Sequence, residues 1–125
     1  MLWVVIGAGA AIGGIARHAL NQAVHQRMLG TTFPVSIFLV NVIGSGTIGV
    51  LAGLLAANRI GMSANMRAFV FVGILGGFTT FSSFSLDTLT LVRTGYVGQA
   101  LTNVGGQVGF SLLAVWLGYR LGFGG

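Results

Sequence analysis

"LGGFTTFSSFSLD", Leu75 to Asp87, lies in a run without charge from Ala68 to Leu86. The preceding "AFVFVGI" is apolar enough for the interior of a bilayer. Two glycines, two threonines, two serines and three phenylalanines then arrive between Gly76 and Phe84. A lipid-embedded helix has no ordinary use for helix-loosening glycines and a row of hydroxyls. The fold therefore turns on what surrounds this stretch.

The composition identifies the solvent. Of 125 residues, 54% are hydrophobic and 6% charged, whereas soluble domains carry about 25% charged residues. The charges are six arginines and one acid, Asp87. Six scattered arginines make no basic patch for nucleic acid; at helix ends they meet lipid headgroups. Without cysteine there are no disulfides and no thiolate metal sites. The N-terminus has neither a charged leader region nor a small-residue cleavage site, so Leu2 onward reads as a span and not as a removed signal.

A bilayer core needs about 20 mostly apolar residues per helix, and four segments qualify. Span 1 runs from Leu2 past Arg17 and His18 to about Val24. Span 2 is Val35 to Ala57, started by Pro34. Span 3, about Ala64 to Val92, contains the opening stretch, and span 4 is Tyr96 to about Leu121. The connections "HQRMLGTTFP", "NRIGMS" and "RTG" are short. They leave one four-helix transmembrane domain over residues 1–125. Arginine counts set orientation: Arg59, Arg67 and Arg120 fall on one side, Arg27 and Arg93 on the other. So small a bias permits insertion both ways, and oppositely oriented copies can then pair.

Twenty-two glycines suit close backbone approach between membrane helices. The small-xxx-small pairs are Gly9 with Gly13, Gly49 with Gly53, and Gly105 with Gly109. "GAGAAIGG", Gly7 to Gly14, looks like a nucleotide fingerprint, but no strand precedes it and no acid follows some 20 positions on. Such tight helices enclose little space, so a sizeable route is expected between subunits. His18 and His25 read as interfacial.

Polar side chains in lipid are costly and face protein or water. Asn103, Gln107 and Ser111 recur every four residues on span 4, and Asn41 and Ser45 do so on span 2. Thr79, Thr80, Ser82 and Ser85 crowd span 3, beside an aromatic stripe of Phe78, Phe81 and Phe84. One account of these residues is glue between helices. The other is a track for an anion, since amide and hydroxyl donors are gathered without fixed negative charge. Aromatic ring edges carry partial positive charge and would assist. Proton-coupled transport wants a midplane acid, and cation conduction wants carboxylate rings or carbonyl loops. Gly76 and Gly77 are expected either to break span 3, which is tolerated where freed backbone lines a cavity, or merely to kink it.

"GGFTTFSSF", with "LVNVIGSGTIG" in span 2 and "GGIARH" in span 1, resembles the Fluc (CrcB) fluoride channel family over essentially the whole chain. The resemblance implies an all-α integral membrane protein of four transmembrane helices, the third broken mid-membrane, in an antiparallel, dual-topology homodimer. It implies passive fluoride export through two pores at the dimer interface, conferring fluoride resistance, in the inner membrane of a prokaryotic cell. Phe81 and Phe84 match pore-lining phenylalanines, and Asn41 a pore asparagine whose amide can donate to the anion. Thr80 and Ser82 beside them are expected in the pore. Asn103, Gln107 and Ser111 fall on the family's polar track. Gly76 and Thr79 match positions whose backbone carbonyls hold a central structural sodium ion, and Arg17 matches a vestibule arginine. Phe78 takes no role.

Two other classes stay open. A small four-span, proton-coupled drug or ion transporter would need a mid-membrane glutamate, and the chain has none. A structural subunit of a larger complex is the other. An enzyme is not indicated, because no nucleophile–base set or metal cluster is apparent.

Overall fold

The computed structural model describes residues 1–124. It is all-helical: α1 (Leu2–Arg27), α2 (Val35–Ala56), α3 (Ala64–Arg67), a π-helical stretch (Ala68–Leu75), α4 (Gly76–Phe78), α5 (Phe81–Arg93) and α6 (Val97–Phe123). From α3 to α5 the chain forms one interrupted span, Ala64–Arg93, which gives four helices long and apolar enough to cross a membrane. Large side chains such as Leu2, Ile15, Leu101 and Leu112 lie exposed on the outside, as lipid solvation requires. Turns need few special conformations: Gly30 and Gly95 take positive φ in two connections, and Asn58 does so at φ 57° in the third.

Two glycine-lined pairings hold the bundle. Alpha1 packs on the π-helical stretch and α4, and α2 packs on α6. In the first, a Cβ at Gly9 would fall on the Phe69 carbonyl oxygen, and one at Gly13 on that of Ile74. In the second, Gly49 lies against Val115 O, Gly53 against Tyr119 O, Gly118 against Gly46 O and Gly122 against Val50 O. Backbones this close gain dispersion and leave no room for side chains. Contacts advance together along both partners, so each pair runs parallel, as alternate spans must. Arg59 Nη1 donates to Gly122 O at 3.3 Å, placing the middle connection beside the end of α6. At the other end, Thr32 Oγ1 in the first connection bonds Gln99 Oε1 at 2.8 Å.

Three expectations are corrected. Gly105 and Gly109 do not form a contact face within the chain: a Cβ at either meets nothing within 4 Å. The glycines of α6 that lie against the α2 backbone are Gly118 and Gly122, while Gly106 lies against the Phe38 ring. The backbone does not open at Gly76 and Gly77, which remain helical. Gly77 serves packing, since a Cβ there would meet Ala10 O at 2.6 Å. The helix instead ends at Thr79 (φ −83°, ψ 155°) and restarts after Thr80 (φ −152°, ψ 120°). Nor do three phenylalanines form one stripe, because the extended threonines shift the register. Phe81 and Phe84 pair at 5.4 Å between centroids, tilted by 60°, whereas the Phe78 ring lies beside Gly44 of α2.

Candidate functional site

The break has a cause in side-chain chemistry. Thr79 Oγ1 donates back to Leu75 O at 3.0 Å, closing the first half of the span. Thr80 then caps the second half: its Oγ1 accepts from Ser83 N at 3.1 Å, the usual work of a threonine at a helix N-terminus. Across the gap, α2 comes close because residue 44 is glycine; a Cβ there would fall on Thr79 Cγ2. That approach delivers Asn41, three residues earlier on α2, to the break. Asn41 Oδ1 accepts from Thr80 N at 2.9 Å, and Asn41 Nδ2 donates to Thr80 O at 3.1 Å.

From Asn41 the hydrogen bonds continue through three helices. Asn41 Nδ2 also donates to Gln107 Oε1 at 2.7 Å. Gln107 Nε2 donates to Asn103 Oδ1 at 2.9 Å. Asn103 Nδ2 donates to Thr88 Oγ1 at 3.0 Å, and Thr88 Oγ1 to Phe84 O at 2.8 Å. Every link donates in the same sense, from the Thr80 amide to the Phe84 carbonyl. Such aligned dipoles reinforce one another in a low dielectric. Asn103 and Gln107 are buried, at 0% and 4% exposure, and their amides meet the cost of burial through this chain.

The broken span also frees backbone. In a continuous helix Thr80 N–H would bond Gly76 O; here it bonds Asn41. Thr79 O would accept from Ser83 N, which bonds Thr80 Oγ1 instead. Neither carbonyl has its i+4 partner, and both residues line an open cleft of about 460 Å³. The cleft wall comes from α2, the interrupted span and α6. It contains Asn41, Ser45, Thr80, Gln107 and Ser111 together with Phe71, Phe81 and Phe84, and it holds no charged residue. Phe81 stands 77% exposed, whereas Phe84 is 9% exposed.

Most of the residues singled out in the sequence thus come together. Asn41, Thr80, Phe81, Phe84, Gln107 and Ser111 share the cleft with Gly76 and Thr79. Asn103 lies behind it, one hydrogen bond beyond Gln107. Ser82 is exposed beside it, its Oγ 3.2 Å from Thr80 Oγ1. Arg17 stands apart, half-buried on α1 and not in the cleft wall. Thr88 is a link that sequence reasoning missed. Its signal was its place four residues after Phe84, where a threonine bonds back to the preceding turn while accepting from a neighbour. Ser45 belongs in the wall as its stripe with Asn41 indicated. No hydrogen bond of the Ser45 or Ser111 hydroxyl occurs among the described residues.

Carbonyls freed at a helix break are hard oxygen donors, suited to an alkali or alkaline-earth cation. Gly76 O and Thr79 O therefore fit the chemistry of a hard cation such as sodium.

These features define a class: an all-helical, multi-pass membrane protein with an uncharged cleft, apolar with amides and hydroxyls set into it, at an interrupted span. Residues 4–119 match the family model described as CrcB-like protein, Camphor Resistance (CrcB). The chain belongs to this family. It is 49% identical to the fluoride-specific ion channel FluC of Opitutus terrae over 119 residues, 94% of this chain and 89% of that protein. It is 45% identical to FluC 1 of Rhodopseudomonas palustris, over 94% of this chain and 84% of that protein. With FluC of Thermus thermophilus it shares 42% identity, over 96% of this chain and 92% of that protein. These relatives are channels and not enzymes.

Proposed function

We propose that the chain is a passive fluoride channel that exports the anion across the cell's inner membrane and so confers fluoride resistance. The observation that carries this reading is the cleft wall, which sets amides and hydroxyls among phenylalanine rings and the aliphatic side chains of Ile48, Leu75, Val108 and Leu112, with no charged residue. Fluoride is small and tightly hydrated, so entry requires donors able to replace its water shell. Uncharged donors do so without a deep trap, and conduction needs an ion that can leave. A carboxylate in the wall would repel the anion, and the acid of this chain, Asp87, is not in it. The names of the relatives supply the choice of fluoride.

A single chain leaves the cleft open at Phe81, and the near-balanced arginines suit insertion in both orientations. An antiparallel homodimer would close two such clefts into two pores, with the break at mid-membrane. The ring edges of Phe81 and Phe84 would face the ion, with Thr80, Ser82, Asn103, Gln107 and Ser111 in or behind the wall. Arg17 would raise positive potential at the vestibule. Gly76 O and Thr79 O from both copies would hold a structural sodium ion, which supplies fixed positive charge at the dimer centre. Fluoride entering as its neutral acid ionises in the cytoplasm, and the membrane potential drives the anion out with no nucleotide needed.

The test is release of fluoride from liposomes containing the purified protein when a potassium ionophore clamps the potential. Rapid release is expected, with none from protein-free vesicles. A dimeric preparation that releases no fluoride overturns the reading.

A further inference from the structure

An extended residue points its N–H and C=O to the same side, as in a strand pair. A side-chain amide has the shape of a peptide group and can engage both at once. Thr80 is extended, and Asn41 meets it in this way, with Oδ1 on its N–H and Nδ2 on its C=O. Only one orientation of the Asn41 amide pairs both groups. The second Nδ2 proton goes to Gln107 Oε1 at 2.7 Å, the shortest link of the chain. A primary amide has two protons to give, so Asn41 has none left for a ligand. Gln107, by contrast, uses one Nε2 proton on Asn103.

We infer that Asn41 is a positioning residue: its amide staples the extended Thr80 to α2, replaces the missing helical bond, and keeps Gly76 O and Thr79 O free. The donors available to an anion at this level are then the second Nε2 proton of Gln107, the hydroxyls of Ser45 and Ser111, and whichever hydroxyl proton the Thr80–Ser82 pair does not use between them. The consequence for flux rests on the channel reading; the staple itself does not.

Amide exchange followed by NMR, on the full chain in lipid nanodiscs, tests the staple without any transport. The Thr80 amide of the wild type is expected to exchange about 100-fold more slowly than that of exposed Thr32, since protection follows the cost of local opening. Asn41→Leu should speed Thr80 exchange about tenfold or more, while Gln107→Leu leaves it within about twofold, because that change spares both bonds to Thr80. In sodium fluoride flux assays, Asn41→Leu should lower maximal flux with the half-saturating fluoride concentration within about twofold, as loss of positioning alone requires. Wild-type Thr80 exchanging as fast as Thr32 overturns the staple, and needs no variant to fold. So does unchanged Thr80 protection in Asn41→Leu, whether or not half-saturation rises; a rise would make Asn41 an anion ligand. A protected Thr80 in a wild type that passes no fluoride upholds the staple and removes the channel reading.

Discussion

The α2–α6 pair and the interrupted span use similar small residues to opposite ends. Along α2 and α6, glycines let two intact helices touch, each bare Cα lying against the opposite backbone. Along the interrupted span, glycines also pack, at Gly73 and Gly77 against α1, yet the helix fails nearby, at two threonines. Glycine alone therefore does not open a membrane helix. What opens this one is a competing set of partners: the Asn41 side chain takes the Thr80 amide, and the Thr80 hydroxyl takes the Ser83 amide. Rigid contact on one side of the cleft sets the distance at which that competition succeeds on the other.

The contrast can be broken most severely at the glycine seam. Gly49→Leu or Gly122→Leu would drive a side chain into Val115 O or Val50 O. The expected cost lies at or beyond the top of the roughly 1–3 kcal/mol range for overpacking. Size-exclusion chromatography in detergent should then recover little folded protein; normal yields would show that the helices can separate. A smaller effect is expected at the break. Phe81→Ile and Phe84→Ile should each slow fluoride efflux about tenfold or more, which corresponds to roughly 1.4 kcal/mol of barrier. Of the two, Phe84→Ile should reduce thermal stability the more, because Phe84 is buried within one chain whereas Phe81 is exposed there. Equal losses of stability would place Phe81 in a contact that one chain does not provide.

Smaller still, Ser45→Ala and Ser111→Ala should reduce flux a few-fold while shifting stability by no more than about 0.5 kcal/mol, since these hydroxyls make no hydrogen bond among the described residues. A drop in melting temperature would assign them to helix adhesion. The slightest change is expected on the open face of α6. Gly105→Ala or Gly109→Ala enters free space and should gain up to about 1 kcal/mol from helix propensity. Destabilisation at either position, read by thermal unfolding, would show that a second copy covers this face.

Much of this was legible before any coordinates. Lipid demands a length and an absence of charge, so all four spans could be read within a few residues of their ends. The polar residues stood out because their cost in lipid makes each one informative. Periodicity worked where helices are continuous: Asn103 and Gln107 are joined, and Gly9 and Gly13 share a contact. It failed where the helix is not, and Phe78 left the stripe with Phe81 and Phe84. It also failed at Gly105 and Gly109, because spacing identifies a smooth face without naming the helix that meets it.

Taken alone, the order of residues determined that this chain lives in a membrane, how many times it crosses, and which side chains are too polar to face lipid. Those are local properties, decided by transfer energies that each segment carries with it. Where span 3 breaks, which atoms of Thr80 and Asn41 meet, and which carbonyls are left free were decided only by the tertiary structure. The reason is competition: a backbone amide takes whichever acceptor stands in place, and α2 brings the Asn41 oxygen to Thr80 from thirty-nine positions away in sequence.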